Sequence, residues 1–175
     1  MKKLNVVLVS LLTIIIFSFN SQAQYTKGQS DINLGIGFAA FGLNGNNTVP
    51  PISLSYDYGI KDNISLGGYF GYTASESDAG FYKAKFTYMI IGVRGAYHKE
   101  FVDGIDTYGG VLLGYNLASV DYDPSLPAGF PEPSVGGVAY SLFLGGRYHF
   151  TDNIGAFLEL GYGISAINLG LTFKI

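Results

Sequence analysis

The end of the chain alternates between apolar and other residues. Leu169, Leu171, Phe173 and Ile175 take every second position, separated by Gly170, Thr172 and Lys174. A period of two is that of a β-strand with one apolar face. The same pattern recurs upstream, and it predicts eight strands at about 31–40, 51–60, 64–73, 85–99, 107–117, 137–150, 154–163 and 167–175.

Short and long connections alternate between these predicted strands. The pair Asp62-Asn63 recurs 90 residues later as Asp152-Asn153, each time between two strands. Asp and Asn suit tight turns because their side chains bond nearby backbone and tolerate left-handed conformations. The segments 41–50, 74–84 and 118–136 carry Asn, Gly, Ser, Asp and Pro and are predicted as longer loops, whereas the connection at 163–166 is short. An even strand number with short turns at one end predicts an eight-stranded antiparallel up-and-down β-barrel with both termini at that end.

The two faces of the predicted strands differ in polarity. One face carries apolar residues bordered by tyrosines, such as Leu66, Phe70 and Tyr72, and no charge. The other carries the polar and charged residues together with many glycines. A soluble barrel of the lipocalin type would turn the apolar face inward, and this is the alternative. The uncharged belt with its tyrosine borders favours a transmembrane barrel with the apolar face toward lipid.

The first 23 residues have the layout of a secretory signal peptide. Lys2 and Lys3 precede an apolar stretch at 4–19, and Ser21-Gln22-Ala23 resembles a cleavage site, which predicts cleavage between Ala23 and Gln24. An apolar run of about 16 residues is short for a membrane-spanning helix. The predicted organisation is therefore a signal peptide at 1–23 and one barrel domain at 24–175.

Composition narrows the class of protein further. Removing Lys2 and Lys3 leaves 8 basic against 13 acidic residues, a formal charge of −5, which argues against nucleic acid as a partner. The absence of cysteine in an exported chain means that disulfides do not hold the fold. The 14 tyrosines suit membrane interfaces, because each ring is apolar and its hydroxyl can stay wet.

The chain resembles the outer-membrane-protein β-barrel family, often labelled "porin family", whose small eight-stranded members are related in architecture to OmpA and OmpX. The resemblance covers essentially all of 24–175. It rests on Gly-Val-Arg-Gly-Ala-Tyr-His at 92–98, on Gly-Gly-Arg-Tyr-His-Phe-Thr-Asp-Asn at 145–153 and on the last strand. It implies a bacterial outer-membrane protein with both termini in the periplasm.

The last strand also resembles the signal that the barrel-assembly machinery reads. Asn168, Gly170, Phe173 and Ile175 fall in the register of that signal, although Ile175 stands where an aromatic residue is usual. The partners implied by the resemblance are outer-membrane lipid, the assembly machinery and periplasmic chaperones. An extracellular ligand or surface partner for the loops stays open.

Several charges fall on the inward face by parity. They are Asp57, Arg94, Arg147, Glu159 and Lys174. Unpaired charges are costly in a narrow interior, so we expect these residues to form a barrel-interior charge network. The sequence predicts that Arg147 pairs with Glu159 across a hairpin and that Lys174 lies near Asp31. A structural plug is favoured over a conduction path, because eight strands enclose little more than their own side chains.

No catalytic or metal-binding motif emerges. His98 and His149 are the only histidines and lie on the inward face, but no nucleophile-elbow sequence accompanies them. Asp121 and Asp123 could contribute to a calcium site, yet no third carboxylate follows at a suitable spacing. Gly-x-Gly strings lie within strands without a following helix, so a nucleotide site is not supported. We therefore expect neither a cofactor nor a metal.

The prediction is a non-enzymatic integral outer-membrane barrel with a structural or surface-interaction role through its extracellular loops, where recognition usually lies. A narrow porin for ions or small solutes is the alternative, and a lipid-modifying enzyme comes third.

Overall fold

A computed structural model describes residues 25–38, 46–78, 83–122, 134–161 and 163–175. The predicted signal peptide and its cleavage site at Ala23 and Gln24 lie outside the described residues.

The described residues form one closed barrel of eight antiparallel strands, each paired with its neighbours in chain order, which confirms the predicted fold class. The strands are β1 Ser30–Phe38, β2 Asn46–Lys61, β3 Ile64–Asp78, β4 Lys83–Val102, β5 Ile105–Tyr122, β6 Ser134–His149, β7 Ile154–Gly161 and β8 Ile167–Lys174. β8 closes on β1 in a register that joins Asp31 to Lys174 and Phe38 to Ile167. In the described part of the chain no helix is long and apolar enough to cross a membrane.

The apolar face points outward. Most of its large side chains are exposed, and the exposed fraction reaches 80% at Tyr140. The polar face points into the barrel, where Asn33, Asp57 and Thr172 are almost fully buried. Because a soluble barrel would hide the apolar face, the lipocalin-type alternative is wrong. Burial by lipid is the environment that suits this belt.

Five strands are longer than predicted. The structure extends β2 to residue 46, β3 to 78, β4 to both 83 and 102, β5 to both 105 and 122, and β6 to 134. Beyond the apolar belt the ladder continues through polar pairs, as where Glu76 lies opposite Lys85 and Lys85 opposite Asp121. The predicted loops at 74–84 and 118–136 were too long, since apolar alternation ends before backbone pairing does.

The two ends of the barrel are different. We call the end that carries Tyr25, Ile175 and the turns after β2, β4 and β6 the terminal end, and the opposite end the loop end. At the terminal end, Asn63 has a φ of 67° and Gly104 a φ of 81°, the left-handed conformations that tight turns need. At the loop end, five of the described strands, β2 to β6, continue past β7, β8 and β1 as a protruding sheet.

The interior is packed rather than open. A buried apolar cluster runs through the lumen from the loop end to the level of His98, and its members are Tyr69, Ile90, Ala96, Tyr108, Leu112, Phe143 and Ile164. Ile164 comes from the connection between β7 and β8 and is 2% exposed. Next to this cluster, Glu159 and Asn168 line a cavity of about 20 Å³, which is room for a single water molecule.

Candidate functional site

Six buried charges converge inside the barrel toward the terminal end. Alternation along each strand turns them inward, and all are at most 9% exposed: Asp31, Asp57, Arg94, Asp106, Arg147 and Glu159. Charges buried to this degree need partners, because water no longer solvates them.

Arg94 on β4 holds carboxylates from two other strands. Its Nη2 donates to Glu159 Oε2 at 2.8 Å, and its Nε lies 3.1 Å from Asp57 Oδ1 as an ion-pair contact without hydrogen-bond alignment. The Tyr108 hydroxyl donates to the same Glu159 oxygen at 3.3 Å. The guanidinium also lies 4.1 Å from the centre of the Phe143 ring, which is cation–π distance. Glu159 is thus held between a cation and a hydroxyl.

Arg147 on β6 is the more buried of the two arginines, with a side chain that is 0% exposed. Its Nη1 donates to Asp31 Oδ2, and its Nη2 lies 3.4 Å from Asp57 Oδ2. Asp106 Oδ2 lies 3.9 Å from Arg147 Nη1, at the margin of ion pairing. Because Asp57 contacts both Arg94 and Arg147, all the arginines and carboxylates form one connected network.

The predicted pairing of Arg147 with Glu159 was wrong. In the register of β6 and β7, Arg147 lies opposite Phe157 and Glu159 opposite Gly145, so both side chains start on adjacent strands. In a barrel this narrow, long side chains reach across the lumen instead of along the wall. Arg147 therefore meets Asp31 and Glu159 meets Arg94.

Lys174 lies opposite Asp31 in the register of β1 and β8, as predicted. Asp31 nevertheless accepts a hydrogen bond from Arg147, and among the described residues no ion pair joins Lys174 to the network. Lys174 is half-buried at the rim of the terminal end. Asp106 was missed because the predicted strand began at 107 and left it in a turn.

His98 joins this network through a chain of hydrogen bonds. Its Nε2 is 2.8 Å from Ser65 Oγ, and its Nδ1 is 2.9 Å from Asp106 Oδ2. Serine, histidine and aspartate in this order are the parts of a hydrolase triad. Ser65, however, is 1% exposed, and it sits inside the sheet between Gly59 and Ala96. His149 is not part of this chain, and its buried Nε2 has no hydrogen-bond partner within the described residues.

Residues 25–29 close the terminal end and were not singled out in the sequence, because they precede the first strand and carry no motif. Tyr25 is 1% exposed, and its ring stacks on that of His98 at 4.1 Å between centroids. Its hydroxyl donates to the Asp57 carbonyl at 3.0 Å. Burial raises the pKa of Tyr25 above its ordinary value, so the hydroxyl stays a donor.

The four residues of the predicted assembly signal occupy different environments. The Asn168 side chain points inward and donates to Ser53 Oγ at 2.7 Å. Gly170 lies so close to β1 that a Cβ there would be 1.8 Å from the Leu34 carbonyl oxygen. Phe173 is half-buried, and Ile175 is 71% exposed while its N–H donates to the Ser30 carbonyl. Asn168 and Gly170 thus also have structural roles within the finished barrel.

Of the two aspartates considered for calcium, Asp121 lies on the exposed outer face of β5, and Asp123 lies outside the described residues. No group of three or more His, Cys, Asp or Glu side chains in the described ranges is arranged to hold a metal ion.

A closed eight-stranded barrel with an apolar exterior and a buried ionic interior defines the class of small transmembrane barrels. The chain belongs to the family of the outer membrane protein beta-barrel domain, whose model matches residues 9–173. Membership of this family supports a place in the bacterial outer membrane. No curated protein matches the chain.

Similar solved structures share the fold at low sequence identity. The N-terminal β-barrel domain of OprF from Pseudomonas aeruginosa is 16% identical with a TM-score of 0.56, and the match covers 86% of this chain and 100% of that one. Neisserial surface protein A is 16% identical with a TM-score of 0.56, covering 84% and 95%. Ail, the attachment invasion locus protein of Yersinia pestis, solved with the heparin analogue sucrose octasulfate, is 14% identical with a TM-score of 0.53, covering 85% and 96%.

Proposed function

We propose that the protein is a non-enzymatic outer-membrane barrel that interacts with a surface partner through its protruding sheet. In this proposal the terminal end faces the periplasm and the loop end faces outward. The observation that carries it is the open edge of β6. Residues 134–142 extend past Phe143, the last residue of β6 that pairs with β7, so nine consecutive residues have no β7 partner within the described chain.

The two edges of the protruding sheet are not equivalent. On β2, residues 46–51 lie beyond the last pair with β1, and this edge contains Pro50 and Pro51. Proline has no N–H to offer, and it commonly protects edge strands from further pairing. The described part of the β6 edge has no proline, and Val135 and Val138 on it are 67% and 73% exposed. An extended segment of another protein could add to this edge by main-chain hydrogen bonds.

The charge of the protein bears on the chemistry of the partner. Ail was solved with a polyanion, whereas the mature form of this chain is expected to carry −5. Lys83 and Lys85 on the outer face of β4 lie opposite Asp78 and Glu76, so the described lysines of the sheet are flanked by carboxylates. A protein segment therefore suits this sheet better than a polyanion.

The same geometry argues against the two alternatives. A porin needs a continuous aqueous path, but the lumen is filled by Phe143 and Ile164 near the loop end and by Tyr25 at the terminal end. A lipid-modifying enzyme needs a reachable nucleophile, but Ser65 is buried beneath the N-terminal segment. The outward apolar belt provides the contact with outer-membrane lipid. The last strand remains the proposed signal for the assembly machinery and the chaperones.

Photo-crosslinking on intact cells tests the proposal. A photoreactive residue in place of Val135 should capture a partner, whereas one in place of Asp62 in the β2–β3 turn should not. Because the chain has no cysteine, single cysteines at Asp78 and Asp152 can report orientation through a membrane-impermeant maleimide. Labelling at Asp152 on intact cells would overturn the orientation, and steady ion conductance in planar bilayers would favour the porin.

A further inference from the structure

Residues 25–29, which we call the stopper, are attached to the barrel without being part of its sheet. The Gly28 N–H donates to the Gly59 carbonyl and the Gly59 N–H to the Gln29 carbonyl, both at 2.8 Å. The Asn63 N–H donates to the Tyr25 carbonyl at 3.1 Å. The barrel itself closes through β1 and β8 without these contacts, so the stopper can leave while the wall stays paired.

Only one side chain of the stopper is deeply seated. Thr26 and Lys27 are exposed, whereas Tyr25 is 1% exposed. The Tyr25 ring stacks on His98 and lies 5.8 Å from the Arg147 guanidinium, and its hydroxyl bonds the Asp57 carbonyl. The side chain therefore covers the face of the ionic network that looks toward the terminal opening.

We propose that the stopper is a removable seal. When it is seated, Tyr25 shields the chain of Ser65, His98 and Asp106, together with Arg147, from water. Withdrawal of the stopper exposes these polar side chains to water at the terminal end and leaves the barrel wall intact. The inference goes beyond the proposed surface role, because it concerns the opposite end of the molecule.

Gly59 offers a way to unseat the stopper without altering it. A Cβ at Gly59 would lie 2.2 Å from the Thr26 carbonyl oxygen, so Gly59→Ala forces the segment to move. A Cβ at Gly68, on the neighbouring strand β3, would have no atom within 4 Å. Gly68→Ala is therefore a matched control. Tyr25→Ala removes the seated side chain directly.

The readout is the rate at which diethyl pyrocarbonate modifies His98 in barrels folded in lipid vesicles, followed by peptide mass spectrometry. Local opening sets the rate of such labelling, so Gly59→Ala and Tyr25→Ala should raise it at least about tenfold over the native protein. Gly68→Ala should leave the rate unchanged. Heat-modifiable migration identifies the folded fraction. Equal His98 rates in folded native, Gly59→Ala and Tyr25→Ala protein would overturn the proposal.

A reversible tether covers the case in which these variants fail to fold. The Lys27 N–H donates to Asp62 Oδ1 at 3.0 Å, so the two residues are neighbours, and a disulfide between cysteines at these positions would tether the stopper to the β2–β3 turn. The chain has no cysteine to interfere with Lys27→Cys/Asp62→Cys. Oxidation should slow His98 labelling below the native rate, and reduction should restore it. A His98 rate that is the same in the oxidised and reduced forms counts against a removable seal.

Discussion

Charged residues serve different purposes at the two ends of the barrel. Toward the terminal end, Arg147 and Arg94 are almost fully buried and reach across the lumen to carboxylates on other strands. At the loop end, Lys85 lies between Glu76 and Asp121 in a row across three strands, and all three side chains are exposed. The residue types are similar, but their surroundings are opposite.

The difference shows where charge controls stability. A buried cation cannot be removed without leaving its carboxylates unsolvated, whereas water takes over from an exposed partner. The interior network thus fixes the packing of the terminal half. The outer row lies where the apolar belt gives way to charged residues that water can solvate.

The largest expected effect comes from the most buried cation. Arg147→Ala leaves Asp31 and Asp57 without their shared partner, and it should lower the free energy of unfolding by about 3–5 kcal/mol. Urea unfolding in vesicles, followed by heat-modifiable migration, measures the loss. Adding Asp31→Asn should recover part of it. A loss no larger than that for an exposed lysine would remove the distinction between the two ends.

A charge placed on the lipid face should have the next largest effect. Leu158 is half exposed on the outer face of β7, and Leu158→Arg should cost about 2–4 kcal/mol in lipid. Leu158→Met is the matched control, because it keeps the site apolar at similar volume. If refolding in vesicles is indifferent to the arginine, then this face does not meet hydrocarbon.

A double-mutant cycle sharpens the assignment of partners inside the network. Arg94→Ala and Glu159→Gln should be coupled by about 0.5–3 kcal/mol, because these side chains bond directly. Arg147→Ala combined with Glu159→Gln should be coupled more weakly, since those two residues do not touch and are linked only through Asp57 and Arg94. The reverse result would restore the pair that the hairpin pattern predicted.

The smallest effect is expected at the loop end. Lys85→Ala should change the free energy of unfolding by about 1 kcal/mol or less, since its neighbours are solvated. Raised salt should reduce even this difference between Lys85→Ala and the native protein. A larger, salt-resistant loss would mean that the outer row is shielded from water.

Much of the fold could be predicted from alternation, because the period of two and the uncharged belt reflect one physical boundary, that between lipid and the interior. The ends of β3 and β5 were missed since polar cross-strand pairs such as Glu76 with Lys85 carry no apolar signal. The presence of each strand could thus be predicted from its side chains, whereas its length depends on how far the backbone pairing extends.

The interior could be predicted only as a set of residues. Parity turned Asp57, Arg94, Arg147 and Glu159 inward, and the structure buries all four. Which cation meets which carboxylate depends on distances across the lumen, which the order along the chain does not contain. No sequence pattern pointed to Tyr25, because the residues that surround it come together only in the folded barrel.

The residues that surround Tyr25 also bear on the order of folding events during biogenesis. This residue is made before any strand, yet the groups around it belong to β2, β4 and β6, through Asp57, His98 and Arg147. These groups come together only after most strands of the barrel have paired. Among the described residues, the stopper is therefore synthesised first but is among the last segments to reach its final position. Its binding indicates that the surrounding strands have already paired.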